Sequence, residues 1–334
     1  MRIITLATLM LVAAALVAAD RPAPAQIVLD DGRTESVFVA HDNMDEVVWS
    51  QDDRNTITGS FSPERVVSIT YDNFTDPNYV RGRAAIARGD FDKAIESLTE
   101  AAERARYEAT KIEAYLLIAD AHARKKNPDS AAAALDKLIA TYPKSSQVPV
   151  AQFKKGEYYL LAKEYDKANA AFSALGAAAN GYDYYKAQAL AKSALGLGRV
   201  LMAQGDFAGA ATQIQAALKA VDPDRSPAAY LEAGLILAEA QQRAGDTGSA
   251  QATYTSLLYL PGDPVMQGRA HVGLAKLLDE AGQTLKAFDH AVMGAVRGAP
   301  EAKQVANSLA GKLSKDESID AVARRDYRNY VSRL

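Results

Sequence analysis

A regular pattern of apolar and polar positions covers most of the chain and repeats at a nearly constant interval. Over residues 79–101, two stretches with helical apolar spacing flank a turn at Gly89, with Gly82 seven residues before it and Ala94 five residues after it. The same triple of small residue, turn residue and alanine recurs at Ala119/Lys126/Ala131, Gly156/Lys163/Ala168, Gly198/Gly205/Ala210, Ala238/Gly245/Ala250 and Ala275/Gly282/Ala287. The first members of successive triples are 37, 37, 42, 40 and 37 residues apart. The sequence therefore predicts six repeats of one structural unit.

Each repeat predicts two antiparallel helices joined by a tight turn. Such helices approach most closely where neither carries a bulky side chain, so we expect the Gly or Ala of the first helix to face the Ala of the second. Larger side chains one helical turn after the alanine then fill the surrounding space. These residues are Leu98, Leu135, Phe172, Ile214 and Tyr254. A single pair cannot bury its apolar stripe, whereas stacked pairs share a continuous core, so the pattern predicts a stacked array.

The repeats over 79–298 resemble tetratricopeptide repeats. The residues that carry the resemblance are the turns Gly89-Asp90-Phe91, Glu164-Tyr165-Asp166 and Gly205-Asp206-Phe207, together with Pro143, Gly156 and Tyr159. In the fifth and sixth repeats, Thr247 and Thr284 replace the turn aromatic. The resemblance implies a mainly α fold, an α-α superhelical solenoid of about six helix pairs. It also implies that the first helix of each pair lines a concave groove, where such arrays bind an extended peptide or a partner's helix.

Residues 26–75 show a different pattern, with short runs rich in Val, Ile, Thr and aromatic residues. The runs are Gln26–Leu29, Thr34–Ala40, Glu46–Ser50, Thr56–Phe61 and Arg65–Tyr71. Their number and spacing predict a small all-β domain, a five-stranded barrel or curled meander with a hairpin turn at Asp31-Gly32. The segment resembles the SH3- or Sm-like small barrels. Trp49, the single tryptophan, has two interpretations: it fills the core of this domain, or it forms an exposed platform for a ligand.

The two ends of the chain predict a signal sequence and a helical cap. Residues 1–25 combine Arg2 with the apolar run 3–19, and small residues allow cleavage after Ala19 or Ala25, with an uncleaved anchor as the alternative. The sequence has no cysteine, which excludes a lipoprotein anchor and disulfides. At the other end, residues 299–334 predict two capping helices. These are Glu301–Leu313 and Glu317–Leu334, the second opened by a Ser314-x-x-Glu317 capping box.

Composition and motifs argue against several classes of function. The 334 residues carry a formal net charge of −3 with a pI near 5.9, which gives no electrostatic reason for binding nucleic acid or an acidic membrane surface. The sequence has no Walker loop and no GxSxG motif, and the absence of cysteine excludes a thiol nucleophile. His271 and His290 fall in one repeat, where a two-ligand metal site is conceivable beside the simpler interpretation of a packed pair. The sequence therefore predicts a protein without catalytic activity or cofactor.

Two sets of residues are the candidate binding sites. One residue after each small Gly or Ala, the first helices carry a row of mixed charge that is expected to face the groove. The row consists of Arg83, Asp120, Glu157, Arg199, Glu239 and Lys276. It either forms a ladder of ion pairs between neighbouring repeats or complements a partner of mixed charge. The apolar anchors in the middle of the groove are predicted to be Phe153, Leu160, Leu161 and Met202.

The second candidate site lies in the longest irregular insert, which separates the third and fourth repeats. It carries Tyr182 and Tyr184 outside the repeating frame. Tyrosine is favoured at protein interfaces, so these rings either contact a partner or pack against the helices.

These expectations combine into one hypothesis with one alternative. The chain is expected to be an exported, periplasmic or envelope-located scaffold that binds a protein or peptide partner in the groove, without membrane insertion after signal cleavage. In the alternative, the N-terminal β domain binds a cell-wall glycan or a small ligand and the helical array is a spacer.

Overall fold

The computed structural model describes residues 21–54, 56–72, 75–219, 223 and 227–334. It contains a five-stranded sheet followed by fourteen helices. The strands are β1 (Ala23–Leu29), β2 (Thr34–Asp42), β3 (Val47–Ser50), β4 (Ile57–Phe61) and β5 (Val66–Tyr71). The helices are α1 (Pro77–Ala87), α2 (Phe91–Arg104), α3 (Glu108–Arg124), α4 (Pro128–Thr141), α5 (Val148–Leu161), α6 (Tyr165–Ala178), α7 (Lys186–Gln204), α8 (Phe207–Leu218), α9 (Pro227–Arg243), α10 (Thr247–Leu257), α11 (Pro264–Glu280), α12 (Thr284–Val296), α13 (Ala302–Leu313) and α14 (Ala321–Val331). The predicted signal sequence falls mainly on residues 1–20, which lie outside the described residues. Among the described helices, none is long and apolar enough to cross a membrane.

The sheet is antiparallel throughout, in the order β4-β3-β2-β1-β5. Alternate side chains of β1, including Ile27 and Leu29, are buried against β2 and β3. Trp49 belongs to this core: its ring stacks on Phe61 with 5.7 Å between centroids, and it covers Gly59. The core interpretation of Trp49 is therefore confirmed. Strands β1 to β4 form a meander, and β5 returns to pair with the other side of β1. No pairing joins β4 to β5 within the described strands, so these two strands are the edges of the sheet rather than partners in a closed barrel.

The helices form consecutive antiparallel pairs, as predicted. Each helix packs on the next along the chain, and the first helices of neighbouring pairs contact one another along most of the array, as α7 does with α5 and α9. Each of the six predicted pairs, α1–α2 to α11–α12, has its turn at the position that the repeat frame gives. The helical part of the chain is thus a solenoid of six pairs, followed by α13 and α14.

The turn of every pair contains one residue in the left-handed region of backbone conformation. The φ angles at the six turn positions are +75° at Gly89, +60° at Lys126, +62° at Lys163, +89° at Gly205, +85° at Gly245 and +75° at Gly282. Glycine adopts this conformation without steric cost, which explains its presence at four of the six positions. In three pairs an aspartate follows directly, and its side chain accepts a hydrogen bond from an N–H in the first turn of the second helix, as Asp90 does from Lys93.

The close approach within each pair differs in detail from the prediction. All six frame alanines on the second helices are completely buried, as expected. In the three repeats whose small residue is glycine, however, that glycine faces the large side chain one turn beyond the alanine. A Cβ added to Gly82, Gly156 or Gly198 would lie under 3.0 Å from the side chain of Leu98, Phe172 or Ile214, respectively. At these three positions the missing Cβ makes room for the large residue, so the nearest neighbour is not the frame alanine that was expected. At Gly198 the Ala210 carbonyl oxygen lies 3.6 Å from the added Cβ as well.

The C-terminal pair covers the end of the stack. Leu309 and Leu313 of α13 pack against α12, and Tyr327 of α14 meets Phe288 edge-on with 5.1 Å between ring centroids. The predicted capping box at Ser314 is wrong, because α14 begins at Ala321. There the Asp320 side chain accepts hydrogen bonds from the first free N–H groups of the helix.

The tip between β2 and β3 attaches the sheet to the solenoid. The Asp42 side chain accepts a hydrogen bond of 2.7 Å from the Ser146 hydroxyl, and the Asp42 carbonyl accepts one of 2.9 Å from the Ser146 N–H. The Met44 N–H donates to the Lys144 carbonyl at 2.8 Å, and the Met44 side chain packs near Tyr185. The sheet therefore sits against the α4–α5 connection and the insert after α6.

Two glycine substitutions of opposite expected sign test the packing rule. We expect Gly156→Ala to destabilise the protein by about 1–3 kcal/mol, because the new methyl group would overlap the fully buried ring of Phe172. Gly311→Ala is the matched control on α13, where an added Cβ meets nothing within 4 Å. It should be neutral or stabilise by up to about 1 kcal/mol through helix propensity. Urea unfolding measures both, and equal stability of the two variants would contradict the rule.

Candidate functional site

A chain of ion pairs lies in the middle of the solenoid and connects three successive first helices. Arg199 on α7 donates to Glu157 on α5 at 3.0 Å and to Glu232 on α9 at 2.6 Å. One repeat earlier, Lys154 donates to Asp120 at 3.2 Å. We call the surface formed by Phe153, Glu157, Leu160, Leu161, Arg199 and Met202 the first-helix surface.

The predicted ladder of ion pairs exists in part. The pairing of Glu157 with Arg199 is as predicted. The other three predicted pairs, which join Arg83 to Asp120, Arg199 to Glu239 and Glu239 to Lys276, do not occur among the described ion pairs. Arg199 reaches Glu232 instead, which lies two helical turns before Glu239, because its side chain points toward the N-terminal part of the next first helix.

The charges of this row are partly removed from water. Burial raises the pKa of Glu157, and the neighbouring Arg199 opposes this shift. Burial also lowers the pKa of Lys192, whose ammonium group lies 5.8 Å from the centre of the Phe153 ring. Charges in such an environment interact more strongly than fully solvated ones, so the row can discriminate between partners by charge.

The predicted apolar anchors differ in how much surface they offer. Phe153 packs on Phe172 with 5.4 Å between ring centroids, and Leu160 packs against the same cluster. Met202 is half-buried. Leu161, at the end of α5, is 79% exposed. The first-helix surface therefore presents one fully available apolar side chain beside a row of charges.

The two tyrosines of the insert have different environments. Tyr182 is only 8% exposed, its hydroxyl donates to Gln152 at 3.0 Å, and its ring packs against Leu175. Its assignment to partner binding needs correction, because a buried ring has no surface to offer. Tyr184 is 44% exposed and contacts Tyr185 edge-on at 5.1 Å. The Tyr184 ring therefore remains accessible for contact with another molecule.

Docking of the sheet creates a cleft that the sequence did not predict. Its volume is about 1130 Å³, with strand β5 on one side and the segment 183–191, which contains Tyr184 and the first turns of α7, on the other. A smaller cleft of about 470 Å³ follows between β2, β5 and the start of α3. The only sequence signal was the tyrosine cluster outside the repeat frame, because the cleft depends on how two separate units pack.

Acidic groups are enclosed where the sheet meets the solenoid. Burial and the nearby Glu108 raise the pKa of Asp42, against the effect of its hydrogen bond from Ser146. Burial raises the pKa of Tyr71 strongly, and Asp42 and Glu108 add to the shift. His41 lies 3.1 Å from Glu108.

The histidine pair of the sixth repeat is the nearest approach to a metal site. The Nδ1 atoms of His271 and His290 are 2.9 Å apart, so one ring donates a proton to the other. Burial lowers the pKa of His271 to about 4, and His290 and Arg297 add to the shift. Within the described residues, no group of three or more potential ligands is arranged to hold a metal ion. The two rings form a packed, hydrogen-bonded contact.

Residues 79–146 and 195–246 match the family profile of the tetratricopeptide repeat. Two solved structures have the same fold at a TM-score of 0.50. The apo form of RapI is 12% identical over 77% of this chain and 76% of its own. BtubC (BKLC) from P. vanneervenii is 16% identical over 66% of this chain and 92% of its own. No curated protein matches the sequence. The two matched segments, the six helix pairs and the left-handed turns show a solenoid of tetratricopeptide-repeat type with a five-stranded sheet in front.

The histidine pair predicts a pH dependence of stability. The pKa of His271 is lower in the folded protein than the unfolded value of about 6.5, so the unfolded state takes up the proton first as the pH falls. We expect the free energy of unfolding to keep its full value above about pH 6.5 and to decrease as the pH falls from about 6.5 to about 4. In the double variant His271→Gln/His290→Gln, urea titrations should show a smaller decrease over this range. An unchanged decrease would exclude the pair as its source.

Proposed function

We propose that this chain is an exported, non-catalytic scaffold of the cell envelope. It binds an extended peptide or a helix of a protein partner on the first-helix surface. The tetratricopeptide-repeat fold supports an interaction scaffold in general terms, and the charged row of α5, α7 and α9 gives this surface its selectivity.

The exposure of Leu161 is the observation that carries the proposal. Most apolar side chains of the solenoid are used in packing, yet this one lies 79% exposed at the end of a first helix. Leu161 lies one helical turn beyond Glu157, which belongs to the partly buried row of ion-paired residues. An apolar anchor beside desolvated charges is the arrangement of an interface centre, in which a few residues supply most of the binding free energy.

The alternative of glycan binding by the sheet has less support. An exposed aromatic platform would favour it, but Trp49 stacks on Phe61 inside the sheet core.

Export is proposed from the apolar N-terminal run, and the sheet supports one of the two cleavage positions. Cleavage after Ala25 would remove the first three residues of β1, where Ala23 and Ala25 are buried and pair with β2. Cleavage after Ala19 leaves the whole strand. We therefore propose that the mature chain begins at Asp20.

A single exposed substitution tests the first-helix surface. Leu161→Asp should reduce the capture of a partner from an envelope extract more than tenfold, because the anchor is replaced by a charge. Tyr259→Asp is the matched control, since Tyr259 is equally exposed but lies between α10 and α11, away from this surface. Capture is measured with immobilised protein and quantitative mass spectrometry, and circular dichroism checks the fold of both variants. If both variants reduce capture equally, or if neither variant reduces it, the first-helix surface is not the binding site.

The proposed mature N-terminus is tested by intact-mass analysis of protein purified from its native envelope fraction. The expected mass corresponds to a chain that begins at Asp20. A chain that begins at Gln26 would contradict the role of β1, and a chain that retains residues 1–19 would contradict cleavage.

A further inference from the structure

We propose that the cleft between β5 and the start of α7 is a second binding site, which takes an uncharged oligosaccharide. The site is separate from the first-helix surface and does not depend on the function proposed for that surface. Four observations carry the assignment: the size of the preformed cleft, its balance of charge, its unused polar groups and one exposed aromatic ring.

The cleft is a fixed feature of the fold. The β2–β3 tip is joined to the α4–α5 connection by the two hydrogen bonds between Asp42 and Ser146 and by the 2.8 Å bond from the Met44 N–H to the Lys144 carbonyl. The cleft is half-open, and its volume of about 1130 Å³ exceeds the roughly 300–1,000 Å³ of ordinary small-molecule sites. A preformed cleft of this size suits a ligand built from several linked units, because the protein loses little freedom on binding.

Most of the charge in the cleft is already neutralised within the protein. The acidic and basic side chains that line it, among the described residues, are Asp30, Asp42, Glu64, Arg65, Asp183 and Lys186. Arg65 is bound by Asp30 at 3.4 Å and by the neighbouring Asp31 at 3.0 Å. Asp42 is half-buried and accepts the hydrogen bond from the Ser146 hydroxyl.

The charges that remain have mixed signs. Glu64, Asp183 and Lys186 are exposed, and none of them has an ion pair within the described part of the chain. An anionic ligand would face two carboxylates, and a cationic ligand would face the ammonium group. Neither kind of ligand meets a complementary surface, so the cleft favours an uncharged one.

Neutral polar groups on both sides of the cleft are free to bind. The Ser68 hydroxyl on β5 and the Gln188 amide on α7 are exposed and make no hydrogen bond to the described residues. A hydroxyl group donates and accepts hydrogen bonds, and an amide offers a donor and an acceptor side by side. The hydroxyl groups of a sugar have the same dual capacity, so they can pair with both walls.

Tyr184 supplies the aromatic platform that Trp49 does not. Its ring is 44% exposed, lines the cleft and is held by an edge-on contact with the half-buried Tyr185. Val67, which is 67% exposed, adds apolar surface on the β5 side. A pyranose ring has apolar C–H faces and a polar rim, and the body and the hydroxyl of a tyrosine match both. This combination favours a sugar over a purely polar or a purely apolar ligand.

Calorimetric titration of the purified protein tests the proposal. The probes are the β-1,4-linked tetramers of glucose and of N-acetylglucosamine, which are uncharged and differ in their acetamido groups. We expect at least one of them to bind saturably with a Kd below about 1 mM. The β-1,4-linked tetramer of glucosamine and the α-1,4-linked tetramer of galacturonic acid, which are cationic and anionic, should bind about tenfold more weakly or not at all. If neither uncharged probe binds, or if a charged probe binds more tightly than both, the proposal is overturned.

Matched variants locate the site. Tyr184→Ala should weaken the binding of the uncharged probe about tenfold, whereas Tyr184→Phe should keep most of it, because the ring face is retained. Gln188→Ala should weaken binding about fivefold through the loss of hydrogen bonds. Tyr259→Ala is the control, since Tyr259 is 83% exposed and does not line the cleft. Circular dichroism checks the fold of each variant, and equal effects of Tyr184→Ala and Tyr259→Ala would contradict the assignment.

Two further outcomes would contradict it. Loss of sugar binding in Leu161→Asp but not in Tyr184→Ala would place the sugar on the first-helix surface. The second outcome concerns a blocked, uncharged heptapeptide of serine and threonine. If this peptide binds and Tyr184→Ala weakens its binding, while the tetrasaccharides do not bind, the cleft is a peptide site.

Discussion

The close contact between a small residue on one helix and a large side chain on its partner is the constraint on which the structure depends. Gly156 of α5 and Gly196 of α7 both face the ring of Phe172 on α6, so neither α5 nor α7 places a side chain of its own at this contact. Repeated along the chain, this contact sets the spacing of the helix pairs and thereby brings the first helices side by side. The ion pairs of Arg199 with Glu157 and Glu232 exist only because three first helices lie at that distance.

The attached sheet gives the solenoid a second surface of different chemistry. The first-helix surface offers side chains, with charges held by burial near one apolar anchor. Strand β5 of the sheet instead lines a cleft whose other side is the start of α7. The hydrogen bonds between Asp42 and Ser146 hold the two units together, so the cleft between them is part of the fold.

Most of the fold could be predicted from the sequence, because its signals are local or periodic. The triples located every helix pair and turn, and the apolar runs located all five strands. The direction of the close contact was not predicted, since spacing alone does not say which large residue fills the gap left by Gly82. The cleft was also missed, and the sequence did not decide between the two interpretations of Tyr182. Both features depend on contacts between residues far apart in sequence, such as Met44 with Lys144. Such contacts leave no periodic pattern in the sequence.

The insert between the third and fourth repeats breaks the regular spacing, yet it does not break the core. Phe172 belongs to the third repeat, and its ring is covered by glycine from the third repeat and from the fourth. Ser193 of the fourth repeat also donates a 2.6 Å hydrogen bond to the Phe172 carbonyl. The connection between the third and fourth repeats is irregular in the sequence, yet both repeats pack on the same Phe172 side chain. A longer connection between two repeats is therefore compatible with an uninterrupted core, because the contact across it does not involve the inserted residues.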